Sequence, residues 1–171
     1  IHISERSDSE CVSRQESELV FTWRYALVEQ MCAVEVAKPI AVREGILRVL
    51  VDWIKSSDRE KIRPAVSALR YLTTITDKYM AGWIHSQMVN EGALQGILAL
   101  TDDYSVGQDV KLAIAQILSA LCVAPHTRAA VAEANCINYL IGFLYEHSDQ
   151  SSQEVALHAG SALTQLAAGA I

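Results

Sequence analysis

Pairs of leucines spaced three residues apart recur along this chain, and each pair lies in a stretch rich in alanine and other small residues. Residues three positions apart lie on one face of a helix, so each pair predicts a helix with an apolar stripe. Small residues beside the stripe let such a helix pack closely against neighbours on more than one side, as the inner helix of a stacked array must. The leucine pairs are Leu69/Leu72, Leu118/Leu121 and Leu163/Leu166, and the small residues are Ala65, Ala68, Ala115, Ala159 and Ala162.

A second pattern repeats with the leucine pairs: a short helical segment, a corner residue, and a longer amphipathic segment precede each of them. The corners are Gly45, Gly92 and Asn135, residue types that readily adopt a positive φ angle. Successive corners are 47 and 43 residues apart. A period of this size, with one short and two longer helices, is typical of a helical solenoid, so we predict an all-α fold.

Apolar periodicity, prolines and capping residues place the individual helices. Pro39 should stop or restart the chain, and Pro64 should be tolerated only in the first turn of its helix. We expect the helix N-termini to be capped by Ser56-Ser57-Asp58, by Thr101-Asp102-Asp103 and by Ser148-Asp149. The predicted helices cover 11–37 (with a possible break near Ser17), 46–54, a segment from 58 or 63 to 74, 83–89, 93–100, 108–122, 127–134, 137–145 and 153–167.

These segments resemble the armadillo-repeat family, with HEAT repeats as the near alternative. Asn90-Glu91-Gly92-Ala93-Leu94 is similar to the family's corner, and Ser161-Ala162-Leu163-Thr164-Gln165-Leu166 to its third helix. The resemblance covers about 38–168 and implies a right-handed α-α superhelix. It divides the chain into a polar lead-in (1–10), a third helix of a preceding repeat (11–37), and repeats at about 38–77, 78–123 and 124–168. Ile1 is not a methionine and the chain stops just after a helix, so we expect both ends to continue in a longer protein.

One departure from the family limits what the resemblance implies. In its nuclear-import adaptors, asparagines on successive third helices grip the backbone of an extended peptide, and tryptophans stack on the peptide's side chains. The asparagine positions are occupied here by Tyr71, Ala120 and Gln165, and the tryptophan positions by Ser67, Gln116 and Ser161. Binding of nuclear-import signals is therefore not carried over to this chain.

Charge is distributed unevenly along the sequence. The net charge is −6 over 171 residues, which does not favour nucleic-acid binding, and a hydrophobic content of 51% excludes general disorder. Residues 38–90 nevertheless carry a net charge of +4, against −4 before them and −6 after them. The cluster of Arg59, Lys61, Arg63 and Arg70 is either a solvated helix face or a contact for an acidic partner.

The sequence contains no constellation that points to catalysis, a metal or a cofactor. The five histidines form no zinc-type pair, the glycines form no phosphate loop, and Asp102-Asp103 is better explained as a helix cap. The four cysteines, Cys11, Cys32, Cys122 and Cys136, fit reduced and mostly buried thiols, which favours an intracellular protein, cytoplasmic or inside an organelle. No apolar run reaches the ~18 residues that a membrane span needs.

The function that these patterns favour is a non-catalytic protein–protein interaction scaffold or adaptor. Its expected partner is a protein or peptide segment, acidic where it meets residues 38–90, together with neighbouring repeats of the same longer chain. Two alternatives stay open: a regulatory or targeting arm of a larger enzyme, and a structural subunit bound by its outer faces. The concave face built from third helices should present Ser67, Arg70, Tyr71, Thr74, Gln116, Ser119, Ala120, His158, Ser161 and Gln165.

Overall fold

The computed structural model describes residues 23–56, 58–101, 106–145 and 150–169, and over these residues the chain forms ten helices and no strand. Predictions for the polar lead-in, for Cys11, for Asp102-Asp103 and for Ser148-Asp149 lie outside the described residues. The helices are α1 (23–33), α2 (Ala37–Arg43), α3 (Ile46–Lys55), α4 (Arg59–Thr73), α5 (Lys78–Asn90), α6 (Ala93–Thr101), α7 (Gln108–Leu121), α8 (Pro125–Glu133), α9 (Cys136–Tyr145) and α10 (Gln150–Ala168).

Helices of the same kind stack on one another in three columns. The first helices α2, α5 and α8 contact each other in that order, as do the second helices α3, α6 and α9, and the third helices α4, α7 and α10. Each column therefore advances by one helix per group of three. The all-α solenoid predicted from the sequence is confirmed, whereas the exact repeat boundaries stay a prediction.

The leucine and alanine stripes form the core between the columns. Leu69, Leu72, Leu118 and Leu121 are buried, and the five alanines named with them are completely buried. Leu163 and Leu166 of the last third helix are half-buried and pack against this core. The stripe therefore marks the inner helix of each group, as predicted, with weaker burial at the end of the stack.

The three corner residues adopt the backbone conformation that their residue types favour. Gly45, Gly92 and Asn135 have φ angles of 85°, 79° and 57°. A β-carbon clashes with the backbone in this left-handed region, so glycine and asparagine occupy it at the lowest cost. The corners predicted from the sequence are confirmed at all three positions.

One predicted helix boundary near a proline is wrong, and so is the expectation that Pro64 lies in the first turn of its helix. The helix predicted to reach residue 37 ends at 33, and a turn at 34–36 leads into α2. Pro39 is thereby the third residue of α2, where its missing N–H leaves no hydrogen bond unmade. Pro64, in contrast, is the sixth residue of α4, because the Asp58 side chain caps Arg59–Thr73 by accepting a hydrogen bond from the Glu60 N–H at 3.0 Å.

Capping residues also explain two other differences from the sequence prediction. Helix α5 starts at Lys78 rather than at Trp83, because the Asp77 carboxylate accepts hydrogen bonds from two backbone N–H groups of its first turn. Thr101 does not cap α7: it ends α6, and the residue at the N-cap of α7 is Gly107. The cap predicted at Asp58 is confirmed.

Seven residues before each corner stands a basic residue type. Its side chain hydrogen-bonds to backbone carbonyl oxygens at the C-terminal end of one third helix. The Lys38 ammonium is 2.6 Å from the Thr74 carbonyl oxygen, and the His85 Nε2 is 3.3 Å from that of Thr73, both at the end of α4. The Arg128 guanidinium donates to the Cys122 and Val123 carbonyls at the end of α7, at 2.8 and 3.0 Å. Helix C-termini carry unsatisfied carbonyls and partial negative charge, which these donors satisfy. We call Lys38, His85 and Arg128 the clip residues; sequence reasoning missed them.

Candidate functional site

A groove of about 440 Å³ lies on the face where α1, α4 and α7 run side by side. We call it the third-helix groove. Helix α4 contributes its exposed and half-exposed polar positions, because its Ala and Leu stripe is turned into the core. The polar residues that line the groove are Glu29, Arg63, Ser67, Arg70, Asp109 and Gln116.

Polar side chains bridge successive helices along this face, and we call each such bridge a rung. The Ser67 hydroxyl donates to the Glu29 carboxylate at 2.6 Å and joins α4 to α1. The Arg63 guanidinium pairs with the Asp109 carboxylate at 2.6 Å and joins α4 to α7. Two further rungs join α7 to α10: the Gln116 amide to His158 Nε2 at 3.4 Å, and the Ser119 hydroxyl to Ser161 at 3.3 Å.

Arg70 occupies the next position along the α4–α7 pair. It follows Arg63 by seven residues, about two helical turns, and Gln116 follows Asp109 by the same distance. Both Arg70 and Gln116 line the groove. The Arg70 guanidinium carbon lies 4.3 Å from the centre of the Tyr71 ring, close enough for a cation–π contact that orients it.

The structure places six of the ten predicted face residues in the groove or in the α7–α10 rungs, and leaves Tyr71, Thr74, Ala120 and Gln165 outside both. Ser67, Arg70 and Gln116 line the groove, whereas Ser119, His158 and Ser161 form or share rungs farther along. The Thr74 hydroxyl donates to the Tyr71 carbonyl at 2.9 Å. Eight of the ten are half-buried, and the other two, Thr74 and Ser161, are exposed; the half-buried set is Ser67, Arg70, Tyr71, Gln116, Ser119, Ala120, His158 and Gln165.

Sequence reasoning missed Glu29 as a groove residue. Glu29 lies nine residues before the clip residue Lys38, as Ser119 lies nine before Arg128, but this spacing is recognisable only once the clip residues are known from the structure. Glu29 and Ser119 also occupy matching rung positions, bonded to Ser67 and Ser161 of the next third helix. The rung between Arg63 and Asp109 pairs a basic side chain of α4 with an acidic side chain of α7, so these two charges offset each other within the groove.

The cysteines are poorly suited to chemistry at neutral pH. Burial raises the pKa of the Cys32 and Cys122 thiols to about 11, and that of Cys136 to about 12. A thiol acts as a nucleophile or metal ligand only when deprotonated, so these three are inert near pH 7. In the described part of the chain, no group of three His, Cys, Asp or Glu residues could hold a metal ion.

A serine of α5 and a histidine of α8 meet on the first helices. The Ser86 hydroxyl is 2.7 Å from Nε2 of His126 and 2.8 Å from the Gly82 carbonyl. The Ser86 hydroxyl has a single hydrogen to donate, and the Gly82 carbonyl oxygen can only accept a hydrogen bond. When Ser86 donates to Gly82, it accepts from the imidazole, which does not activate it as a nucleophile.

Comparisons with known proteins identify the fold. No family model matches the chain, and no curated protein matches it. Among solved structures, an engineered protein matches at a TM-score of 0.73 and 20% identity, covering 88% of this chain and 57% of its own. A designed armadillo repeat protein matches at a TM-score of 0.72 and 19% sequence identity, and the match covers 86% of this chain and 58% of the designed protein. Another designed armadillo repeat protein, in complex with the peptide (KR)4, matches at a TM-score of 0.70 and 17% sequence identity. That match covers 85% of this chain and 62% of the designed protein.

At 17–20% sequence identity, these matches indicate a shared fold. The chain spans about three fifths of the length of the solved proteins it resembles. Within the described residues, none of the helices combines the length and the apolar character required to cross a membrane. The similarity covers between 85% and 88% of this chain. The chain therefore has an armadillo-like repeat fold.

Proposed function

We propose that this protein is a non-catalytic interaction scaffold that binds a protein or peptide segment along the face formed by α1, α4, α7 and α10. The observation that carries the proposal is the third-helix groove, a depression of about 440 Å³ lined by partly exposed charged and amide side chains. Solenoids offer an extended surface of this kind because each helix column is continuous. A designed armadillo repeat protein of similar fold is in complex with a peptide, which supports this mode of use.

The rungs suit the binding of an extended segment. Amide and hydroxyl groups such as those of Gln116, Ser119 and Ser161 can bond to a peptide backbone without regard to its side chains. The contacts from Gln116 to His158 and from Ser119 to Ser161, at 3.4 and 3.3 Å, are long for hydrogen bonds, so exchanging them for a ligand costs little. Tyr71 and Arg70 belong to the residue types that dominate binding energy at interfaces.

A scaffold role also agrees with the chemistry of the described residues. The buried thiols are protonated near neutral pH, and Ser86 is engaged with a backbone carbonyl. An intracellular location is part of the proposal, because free cysteines at Cys32, Cys122 and Cys136 persist most readily in a reducing compartment.

The test is a selection of peptides from a displayed random library on the folded protein, followed by binding measurements with variants. Ser67→Trp places a large ring in the groove, and Gln95→Trp places the same ring on an exposed position of α6 as the matched control. We expect selected peptides to bind the wild type and Gln95→Trp alike, and to bind Ser67→Trp at least about tenfold more weakly, the effect of losing ~1.4 kcal/mol.

Equal binding to both tryptophan variants would place the interaction elsewhere and refute the proposal. Circular dichroism melts of the variants check that Ser67→Trp, which also removes the bond to Glu29, keeps the fold.

A further inference from the structure

We propose that Arg70 binds a carboxylate of the partner, supplied by an acidic side chain of the peptide segment that occupies the third-helix groove. The inference rests on the proposed function and specifies the chemistry of the partner at one position. It follows from a comparison of two neighbouring rung positions between α4 and α7.

At the first of these positions, the arginine already forms an ion pair with an acidic residue of the protein itself. Arg63 of α4 and Asp109 of α7 lie 2.6 Å apart, and they are 46 residues apart in sequence. The contact shows that this register brings an arginine of α4 within bonding distance of the facing residue of α7.

The second position has the arginine but not the acid. Arg70 and Gln116 are also 46 residues apart, two turns farther along the same helix pair, and both line the groove. Gln116 is neutral, and its amide is directed to His158 on the next helix. A partner carboxylate at this point would occupy the place that Asp109 occupies at the first position.

A contact with the Tyr71 ring orients the Arg70 side chain before any ligand binds. Its guanidinium carbon lies 4.3 Å from the Tyr71 ring centre, and the residue is half-buried rather than fully solvated. Arginine presents a planar fork of donors that matches a carboxylate, and stacking reduces the freedom it loses on binding. Partial burial strengthens the charge interaction relative to an exposed pair.

The other charges of the groove limit the site to one acidic residue. Asp109 is neutralised by Arg63, and Glu29 accepts a hydrogen bond from Ser67 on the α1 side. Glu29 repels further acidic groups from that side of the groove. A segment with isolated or alternating acidic residues therefore fits better than a continuous acidic run.

The experiment measures binding of three fluorescent octapeptides, (Glu-Ser)4, (Gln-Ser)4 and (Lys-Ser)4, by anisotropy at low and at physiological salt. We expect the acidic peptide to bind the wild type about tenfold or more tightly than the neutral one, with the difference reduced by salt. In Gln116→Glu, the new carboxylate should form an ion pair with Arg70, as Asp109 does with Arg63, and so remove most of the preference for the acidic peptide. Gln95→Glu, which adds the same charge at an exposed position of α6 outside the groove, is the matched control and should keep the preference. Arg70→Glu should reverse the preference in favour of the lysine peptide.

The outcomes separate this inference from the proposed function. Undetectable binding of the acidic peptide, or an unchanged acidic preference in Gln116→Glu, overturns the inference. If acidic and neutral peptides bind equally and Ser67→Trp abolishes both, the groove binds peptides but Arg70 does not select a carboxylate. If acidic binding is unaffected by Ser67→Trp, both the site and the inference are wrong.

Discussion

At the scale of single residues, the clip residues show one structural task performed by three different side chains. Lys38, His85 and Arg128 each bond to carbonyl groups at the end of a third helix. Lysine and arginine do so as cations, which the helix C-terminus favours. His85 is buried, and burial lowers the pKa of its imidazole, with the neighbouring His126 lowering it further. Its Nε2–H therefore donates to the Thr73 carbonyl from the neutral ring.

This difference predicts a pH dependence of stability. Because the folded pKa of His85 lies below the unfolded value near 6.5, the unfolded chain takes up the proton first as the pH falls. The contribution of neutral His85 is fully present above pH ~6.5 and is lost as the pH falls towards the folded pKa. Urea unfolding at pH 7.5 and 5.5 should show a smaller loss of stability for His85→Gln, which keeps an N–H donor, than for the wild type. An equal loss in both proteins would contradict this assignment.

Single residues also mark what sequence alone can predict. The positive φ angles at Gly45, Gly92 and Asn135 follow from local backbone sterics, so the sequence is sufficient to locate them. The clip residues could not be predicted in the same way. Their acceptors are carbonyls on other helices, and three residue types with different pKa values share the position.

At the scale of helices, burial of the leucine stripe decides which face points inward. The third helices were predictable because Leu69, Leu72, Leu118 and Leu121 share a face and are buried in the structure. For α4 the sequence left two starts open, near 58 and near 63, and the structure has the first, because a good cap at Asp58 outweighs the one hydrogen bond that Pro64 cannot make in the second turn. Competition of this kind between two local effects is not resolved by periodicity.

The stripe gives a prediction for stability. Replacing Leu118, which is completely buried on α7, by alanine should lower the free energy of unfolding by roughly 2–5 kcal/mol, because a cavity opens between stacked helices. Leu157→Ala on α10 is the matched control: that leucine is 71% exposed, and its loss should cost no more than about 0.5 kcal/mol. Urea denaturation measures both values, and similar losses for the two variants would show that Leu118 is not a core residue.

At the scale of the molecule, the column of second helices ends on an apolar surface. Ile137 and Ile141 of α9 lie two and six residues after the corner Asn135 and are 42% and 40% exposed. The matching residues after Gly45 and Gly92 are Leu47 and Val51 on α3 and Leu94 and Leu98 on α6, and all four are buried. Helix α6 contacts α3, and α9 contacts α6, which places the same positions inside those interfaces.

We therefore expect the isolated chain to self-associate, with a second copy covering α9 in continuation of the column. Sedimentation equilibrium should detect concentration-dependent association of the wild type. Ile141→Lys should weaken it by placing a charge in the apolar surface. Tyr79→Lys, at a highly exposed position of α5 away from α9, is the control and should not. A stable wild-type monomer at high concentration would contradict the prediction.

The candidate site was predictable as a face but not as a set of bonds. The third-helix pattern placed Ser67, Arg70 and Gln116 outside the apolar stripe, and all three line the groove. The bonding partners depend on how one third helix is offset against the next. That offset is set by the packing of whole helices on one another, which the apolar periodicity of a single helix does not specify.

The rungs join positions at unequal distances along the chain. The separation is 38 residues from Glu29 to Ser67, 46 from Arg63 to Asp109, and 42 from Gln116 to His158. Polar side chains therefore meet across each of these helix pairs, although the sequence separation of the bonded residues varies by eight. Each helix pair thus accommodates connections of its own length, and the recognition chemistry of the face can be re-engineered by substitution at the rung positions alone.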